Sequence, residues 1–376
     1  LQFFNEIFHF LNILFYYFSK DIPNALNRKE YYKKDYFYSM ILVTGGTGLV
    51  GSHLLYFLLK ENKQVRAIHR KSSDLQAVKK VFGYYVNEAE AEILFNKIEW
   101  QEANITEIPA LTDAFKGITH VYHAAAYISF DPKHYKKLKK ANVEGTANIV
   151  NLCLAHAVKK LCYVSSVATL GSSLNGASIT EETHWNPEEK NNVYAITKYG
   201  AEMEVWRGTQ EGLDTVIFKP GVILGEGYWN SGSGVIIKTA SKGIPFYTDG
   251  EMGVVDVQDV VKVMIKGMNS EEKNTSYILI SENIKYKTLL TKIATKLNIK
   301  PPKKRIPKWV LIIFSKVDWL ASVLFGTRRK LLKATVNSLY TVSNYSSLKI
   351  EQELNFTFTP ISETLDRVVG HYSIES

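Results

Sequence analysis

The segment Thr44-Gly45-Gly46-Thr47-Gly48-Leu49-Val50-Gly51 constrains the fold of this chain more than any other. It follows the apolar run Ile41-Leu42-Val43 and opens into Leu49–Lys60, where apolar residues recur at helical spacing. A strand, a glycine turn and a helix in that order leave N–H groups and a positive helix end free to hold an anion. Gly45 permits the tight turn, Gly48 lets backbone approach a pyrophosphate, and Gly51 lets the helix lie against the strand. Thr44, Gly45, Gly46, Thr47, Gly48, Leu49, Val50 and Gly51 are therefore candidate dinucleotide-binding residues. A turn that binds nothing is the competing explanation, and the flanking strand and helix weaken it.

From Met40 the same rhythm continues. Strands are expected at Val65–His69, Ile98–Gln101, His120–His123, Leu161–Ser165 and Thr215–Lys219, with helices at Glu88–Asn96, Pro109–Phe115, Lys136–Ala157 and Val193–Gln210. This predicts an α/β fold, a Rossmann doubly wound parallel sheet covered on both faces. After Pro220 the pattern loosens into a Gly-rich loop (Gly225, Gly227, Gly232, Gly234), followed by a helix-like stretch at Val257–Met268 and a strand at Tyr277–Ile280. Residues 40–220, with a return segment at about 254–281, are expected to form the nucleotide-binding domain. Residues 221–253 and 282–376 are expected to form a smaller, mostly helical substrate lobe over the carboxyl ends of the strands.

The second strand ends in Ala67-Ile68-His69-Arg70-Lys71, where a protein selective for NAD would carry an acid for the ribose 2′-hydroxyl. No acid is present. Arg70, with His69 or Lys71, suits a 2′-phosphate instead, so NADP is the expected cofactor, with NAD the alternative. Further along, Tyr194-Ala195-Ile196-Thr197-Lys198 places a phenol and an ammonium one helical turn apart. A nearby cation favours the phenolate, so Tyr194 is expected to exchange a proton nearer neutral pH than its ordinary value of about 10. Tyr-x-x-x-Lys recurs by chance, but Leu161–Ser165 runs into Ser166, whose hydroxyl is placed to polarise a reacting oxygen or simply to cap a turn.

Thr44–Gly51, the strand end Tyr122-His123-Ala124-Ala125-Ala126, Ser166 and Tyr194/Lys198 together resemble the extended short-chain dehydrogenase/reductase family, over most of residues 40–370. The chain is most similar to its dihydroflavonol-reductase and 3β-hydroxysteroid-dehydrogenase-like branch, also described as NAD-dependent epimerase/dehydratase. The resemblance implies that Asn104 and Ile105 lie near adenine, with Asn104 where the family usually has Asp. It also implies that Ala124, Ala125 and Ala126 line the cofactor, that Asn142 supports a proton relay, and that Lys219, Pro220, Gly221 and Val222 lie beside the nicotinamide, with Lys219 in place of an Arg. Asp256 and Asp259 are expected to be structural. The implied activity is reduction of a carbonyl, or oxidation of the alcohol, in a small organic substrate, with Ser166, Tyr194 and Lys198 as the reacting set. A nucleotide-sugar epimerase retaining NAD is the alternative, and a non-catalytic NAD(P)-binding regulator the minor one. Val167-Ala168-Thr169 lacks the Asp-Glu pair of the dehydratases.

Residues 1–18 are apolar and aromatic but interrupted by Glu6 and His9, which fits poorly with a signal peptide and only marginally with a spanning helix, and leaves an interfacial anchor open. Met40 immediately precedes the first strand, so residues 1–39 are expected to lie outside the natural protein. Near the other end, 309–325 is apolar but carries Lys316 and Asp318. A core helix of the lobe is the leading expectation, ahead of a wall for an apolar substrate and of a membrane-surface helix backed by Arg328-Arg329-Lys330. The net charge of +9 reads as solvated surface. Its densest clusters, Lys136–Lys140 and Lys303–Arg305, lie in no nucleic-acid module, so no nucleic-acid partner is expected. The two cysteines, Cys153 and Cys162, form no metal or redox motif and suit a cytoplasmic location. No metal is expected, and a homodimer is compatible with the sequence.

Overall fold

The computed structural model describes residues 39–173, 176–327, 329 and 331–375, and the chain divides into two units, 1–39 and 40–376. The N-terminal apolar stretch falls outside the described residues, as do Arg328 and Lys330. In chain order the first half carries β1 (Met40–Thr44), α1 (Leu49–Lys60), β2 (Gln64–His69), α2 (Leu75–Phe82), α3 (Glu88–Phe95), β3 (Glu99–Glu102), α4 (Ile108–Ala114), β4 (Ile118–His123), α5 (Tyr135–Leu138), a π-helical turn (Lys139–Glu144), α6 (Gly145–Ala155), β5 (Lys160–Val164), α7 (Val193–Gln210) and β6 (Thr215–Pro220). The second half carries β7 (Val222–Leu224), α8 (Gly234–Ala240), β8 (Phe246–Tyr247), β9 (Glu251–Asp256), α9 (Val257–Asn269), β10 (Thr275–Leu279), β11 (Glu282–Lys285), α10 (Tyr286–Lys296), β12 (Lys304–Arg305), α11 (Lys308–Phe325), α12 (Lys333–Ser338), α13 (Leu348–Glu353) and α14 (Ile361–Glu375).

Seven parallel strands lie in the order β10-β6-β5-β4-β1-β2-β3. This is the doubly wound Rossmann arrangement. Alternation along each strand feeds two cores. Ile41 and Val43 pack under α1 and α9, while Leu42 faces the helices α4, α6 and α7. Successive connections leave β1 and β4 for opposite faces, so the carboxyl ends of these neighbouring strands open a crevice.

The second half is less helical than expected. β7, β9 and β11 form a three-stranded sheet, and β8 pairs with β12. The supposed Gly-rich loop contains α8 and β8. Strands of two to six residues contain too few alternations to show a period. A third core, with Leu224, Val254, Ile284, Leu289 and Leu365, packs this sheet against α8, α10 and α14. The helix expected over Lys136–Ala157 is interrupted by the π turn.

The largest correction concerns α11, which is not a core helix: of its 18 residues only Ser315 is buried. Its inward strip is polar. Ser315 Oγ donates to the Leu331 carbonyl at 2.9 Å, and Asp318 accepts from the Leu331 N–H at 3.1 Å. Trp309, Phe314, Val317, Leu320, Leu324 and Phe325 are exposed. Among the described residues no helix is long and apolar enough to cross a membrane.

Candidate active site

The crevice is built first from glycines. Gly45 takes a φ of +75°, and a Cβ there would meet the Ala125 nitrogen at 2.6 Å, so loop and β4 end touch backbone to backbone. A Cβ on Gly51 would stand 2.1 Å from the Gly45 carbonyl oxygen, so the close approach at Gly51 is to the glycine turn rather than to the strand expected from the sequence. Gly48 differs: a Cβ there would meet only the Gly45 oxygen, at 3.4 Å, so its outer side is open. No side chain caps α1 at this end. Its first N–H groups are therefore available to an anion. An open backbone cradle at a helix start fits a dinucleotide pyrophosphate. Leu49 and Val50 flank it, with Val50 packed on the core beneath α1.

At the end of β2, Arg70 and Lys71 are exposed and His69 is half-buried with its ring against Trp100, centroids 5.9 Å apart. Ser73, which sequence reasoning missed, joins this segment to the phosphate loop. Its hydroxyl accepts from the Arg70 N–H at 3.1 Å and from Thr47 Oγ1 at 3.4 Å. Asn104 Oδ1 accepts from the Thr106 N–H, and Asn104 Nδ2 donates to Glu107, each at 3.3 Å. The Ile105 carbonyl accepts from Asn148.

Thr44 Oγ1 and His123 Nδ1 are 2.6 Å apart, and His123 Nε2 bonds Thr146 at 2.9 Å. Burial, reinforced by the Lys198 cation, pulls His123 down to about 3, so it is a neutral strut between the strand ends. Ala124 donates to the Thr44 carbonyl and Ala125 to the Thr44 hydroxyl. Ala126 is exposed beyond them. Asn142, buried in the π turn, clamps Tyr127: its Oδ1 accepts from Tyr127 N–H at 2.7 Å and its Nδ2 donates to the Tyr127 carbonyl at 3.0 Å. Nδ2 also reaches Thr197 on α7 at 3.2 Å. The π turn thus aims one amide at two elements, the segment after β4 and α7.

Asn192 caps α7 two residues before Tyr194, accepting from the Ala195 N–H at 2.9 Å. Ser166 is a turn cap, its Oγ accepting from the Ala168 N–H at 3.1 Å, and its hydroxyl lies near enough to the Tyr194 phenol to ease loss of the phenolic proton. The expected acidification of Tyr194 does not occur: burial pushes the phenol up to about 12, against the opposing Ser166 bond. Lys198 does not relieve this, because its ammonium is directed to Tyr163 Oη at 2.7 Å and the Val164 carbonyl at 2.8 Å. Burial also draws Lys198 itself down to about 7, opposed by Glu202. The edge of the Phe130 ring covers the Tyr194 ring, centroids 5.6 Å apart.

Lys219 corrects another expectation. Instead of facing a cofactor it is buried in an ion pair with Glu202 at 2.6 Å. Glu202 also accepts from Ser165 Oγ at 2.5 Å, Thr169 Oγ1 at 2.8 Å and Trp206 Nε1 at 3.2 Å. This carboxylate ties β5, the Ser166 turn, α7 and β6 together. Its signal in the sequence was an acid four residues after Lys198, on the same helix face. Pro220 is buried at the end of β6, and a Cβ on Gly221 would meet Gly253 O and Ile280 Cδ1 at 2.4 Å each, so Gly221 and the neighbouring Val222 form the junction of the two sheets.

A second group braces the phosphate loop from outside. Tyr228 donates to the Thr47 carbonyl at 3.1 Å, and Trp229 Nε1 donates to Glu375 at 2.8 Å. Arg367 on α14 pairs with both Glu226 and Asp256. Asp256 also caps α9, and Asp259 accepts from Thr359, so both are structural.

The profile of the NAD-dependent epimerase/dehydratase family matches residues 41–279. A Synechocystis sp. protein provisionally named dihydroflavonol 4-reductase is 27% identical over 337 residues, 86% of this chain and 91% of that one. The crystal structure of gox2253 is 26% identical, covering 90% of this chain and 99% of that chain, with a TM-score of 0.74. UDP-glucose 4-epimerase from Thermotoga maritima, solved with UDP-glucose, shares the fold at 17% identity and a TM-score of 0.70, covering 89% of this chain and 99% of that one.

Proposed function

The chain belongs to the NAD-dependent epimerase/dehydratase family of NAD(P)-dependent short-chain dehydrogenase/reductase enzymes, and from that premise we propose that it reduces the carbonyl group of a small organic substrate, with NADPH preferred. The observation that carries this reading is the state of Tyr194. Half-buried at the start of α7, two residues after the Asn192 cap and against the Phe130 ring, it holds its proton more firmly than an ordinary phenol and is placed to give it to a carbonyl oxygen. The cofactor supplies the hydride when bound at Thr44–Gly51 and Ala124–Ala126. Ser166 steadies the oxygen that receives the proton, and Lys198, one turn along α7, holds Tyr163 and the β5 end in place from below. Phe130 gives the mouth an apolar side, and Arg70 at the end of β2 supports the phosphorylated cofactor.

An epimerase would use the same Tyr194 and Lys198 and would begin by taking a proton from a hydroxyl; the exposed Arg70, where a chain selective for NAD would carry an acid, favours the reductase reading. A panel of ketones, aldehydes and UDP-sugars, assayed with NADPH and NADH, tests the proposal. Tyr194→Phe should lower kcat by about 10² or more while leaving cofactor binding intact. Turnover unchanged by that substitution, or UDP-sugar epimerisation on retained NAD, would overturn it.

A further inference from the structure

The positive charge of this chain is concentrated in one place. Residues 300–333 contain ten lysines and arginines and one acid, Asp318, a formal +9 that equals the net charge of all 376 residues. Everywhere else, acids and bases balance. The single acid is withdrawn into the structure, accepting from the Leu331 N–H and facing Arg329 at 3.8 Å. Lys303, Lys304, Lys308, Lys316 and Lys333 are exposed along this stretch, while Arg305 pairs with Asp249.

The same stretch holds the most exposed apolar helix of the described structure. Trp309, Phe314, Val317, Leu324 and Phe325 are 58–77% exposed. Residues 309, 313, 317, 320 and 324, three or four apart, make one continuous stripe with Phe314 on its flank one turn before Val317, while Ser315 and Asp318 face inward. An apolar stripe of this kind marks a contact surface. The surrounding cations select the occupant: a second copy of this surface would bring like charges together, whereas anionic headgroups match them.

We propose that α11 lies flat on an anionic lipid surface. Its apolar stripe enters the boundary between headgroups and acyl chains, and Lys303, Lys304 and Lys308 rest on the headgroups. Trp309 and Trp319 have the amphipathic rings that settle at that boundary. Lys316, beside the stripe, lays its methylene stem along the apolar surface and extends its ammonium to the phosphates. The helix binds without crossing.

Flotation of the full chain with phosphatidylcholine vesicles, with and without phosphatidylglycerol, at low and high salt, tests this. The wild type should float with anionic vesicles and not with neutral ones. Reversing Lys303, Lys304 and Lys308 to Glu should reduce flotation at least about tenfold. Phe314→Ser with Leu320→Ser should reduce it comparably at low salt, which separates insertion from adhesion by charge alone. All these side chains are exposed, and unchanged circular dichroism and thermal melting verify the fold. No flotation with anionic vesicles, or flotation that both variants retain, overturns the proposal. So does a lipid-free dimer that the Phe314/Leu320 variant breaks, because the stripe is then an interface between copies.

Discussion

Glu202→Gln tests the inner framework of the site most sharply. The substitution keeps the shape of the side chain and removes its charge, leaving Lys219 with only 6% of its side chain exposed and no anion opposite. Breaking one side of a buried ion pair costs about 3–5 kcal/mol, much of the 5–15 kcal/mol that holds a typical domain. The amide also presents N–H groups to donors, because Ser165, Thr169 and Trp206 all donate to this carboxylate. Urea unfolding followed by tryptophan fluorescence should show a lower midpoint at unchanged m. Glu202→Leu with Lys219→Met removes both charges. It should recover only part of the loss, because each of the three donors left without an acceptor keeps a penalty of about 1 kcal/mol. In the double-mutant cycle, Glu202 and Lys219 should couple by about 2 kcal/mol or more. Because Ser165 precedes Ser166, kcat should fall in Glu202→Gln while cofactor affinity holds. A single-mutant cost below about 1 kcal/mol, or strict additivity in the cycle, would falsify the view that this pair organises the catalytic crossover.

Other outcomes follow from the same geometry. Gly51→Ala would drive a Cβ to 2.1 Å from the Gly45 oxygen, so about 1–3 kcal/mol of stability and most cofactor affinity should be lost, measurable by thermal melting and nucleotide titration. Arg70→Ala should raise the KM for NADPH about tenfold and leave that for NADH nearly unchanged; equal effects on both would refute its assignment to the 2′-phosphate. Lys198 sits at about 7 when folded against 10.5 ordinarily, so between those values the unfolded chain holds a proton the folded protein has released. Stability from this group therefore rises with pH across that window, and its burial penalty is fully present below about 7. Lys198→Met should remove that rise when urea midpoints at about pH 6 and about pH 9 are compared.

The parts legible in the sequence are those whose signal is local. Thr44–Gly51 declared itself because three glycines must stand at fixed offsets between a strand and a helix. α7 was readable to its ends, Val193 and Gln210, because Asn192 caps it and Gly212 closes it. Where a residue's role depends on a distant partner, the sequence was silent. Lys219 matched a ligand-binding pattern, but its destination is set by Glu202 on another element. Tyr194 and Lys198 were correctly spaced, yet spacing carries no information about desolvation, which moved Tyr194 opposite to expectation and lowered Lys198 as well. The π turn holding Asn142 was invisible because it inserts its widened register without disturbing the apolar period. For α11, hydrophobicity indicated a helix but not which side of it meets water.

The brace formed by Tyr228 on Thr47, Glu226 on Arg367 and Trp229 on Glu375 connects the phosphate loop to the last helix of the described chain. A connection of this kind works in both directions: whatever nucleotide binding adds to the order of Thr47 must also steady α14, and whatever loosens α14 must weaken nucleotide binding by the same free energy. The last helix is thus a gauge of occupancy. Amide exchange along 361–375 should slow as nucleotide fills a loop more than three hundred residues earlier in the chain, and a tag or truncation at that end would be felt at the cofactor before it was felt in the fold.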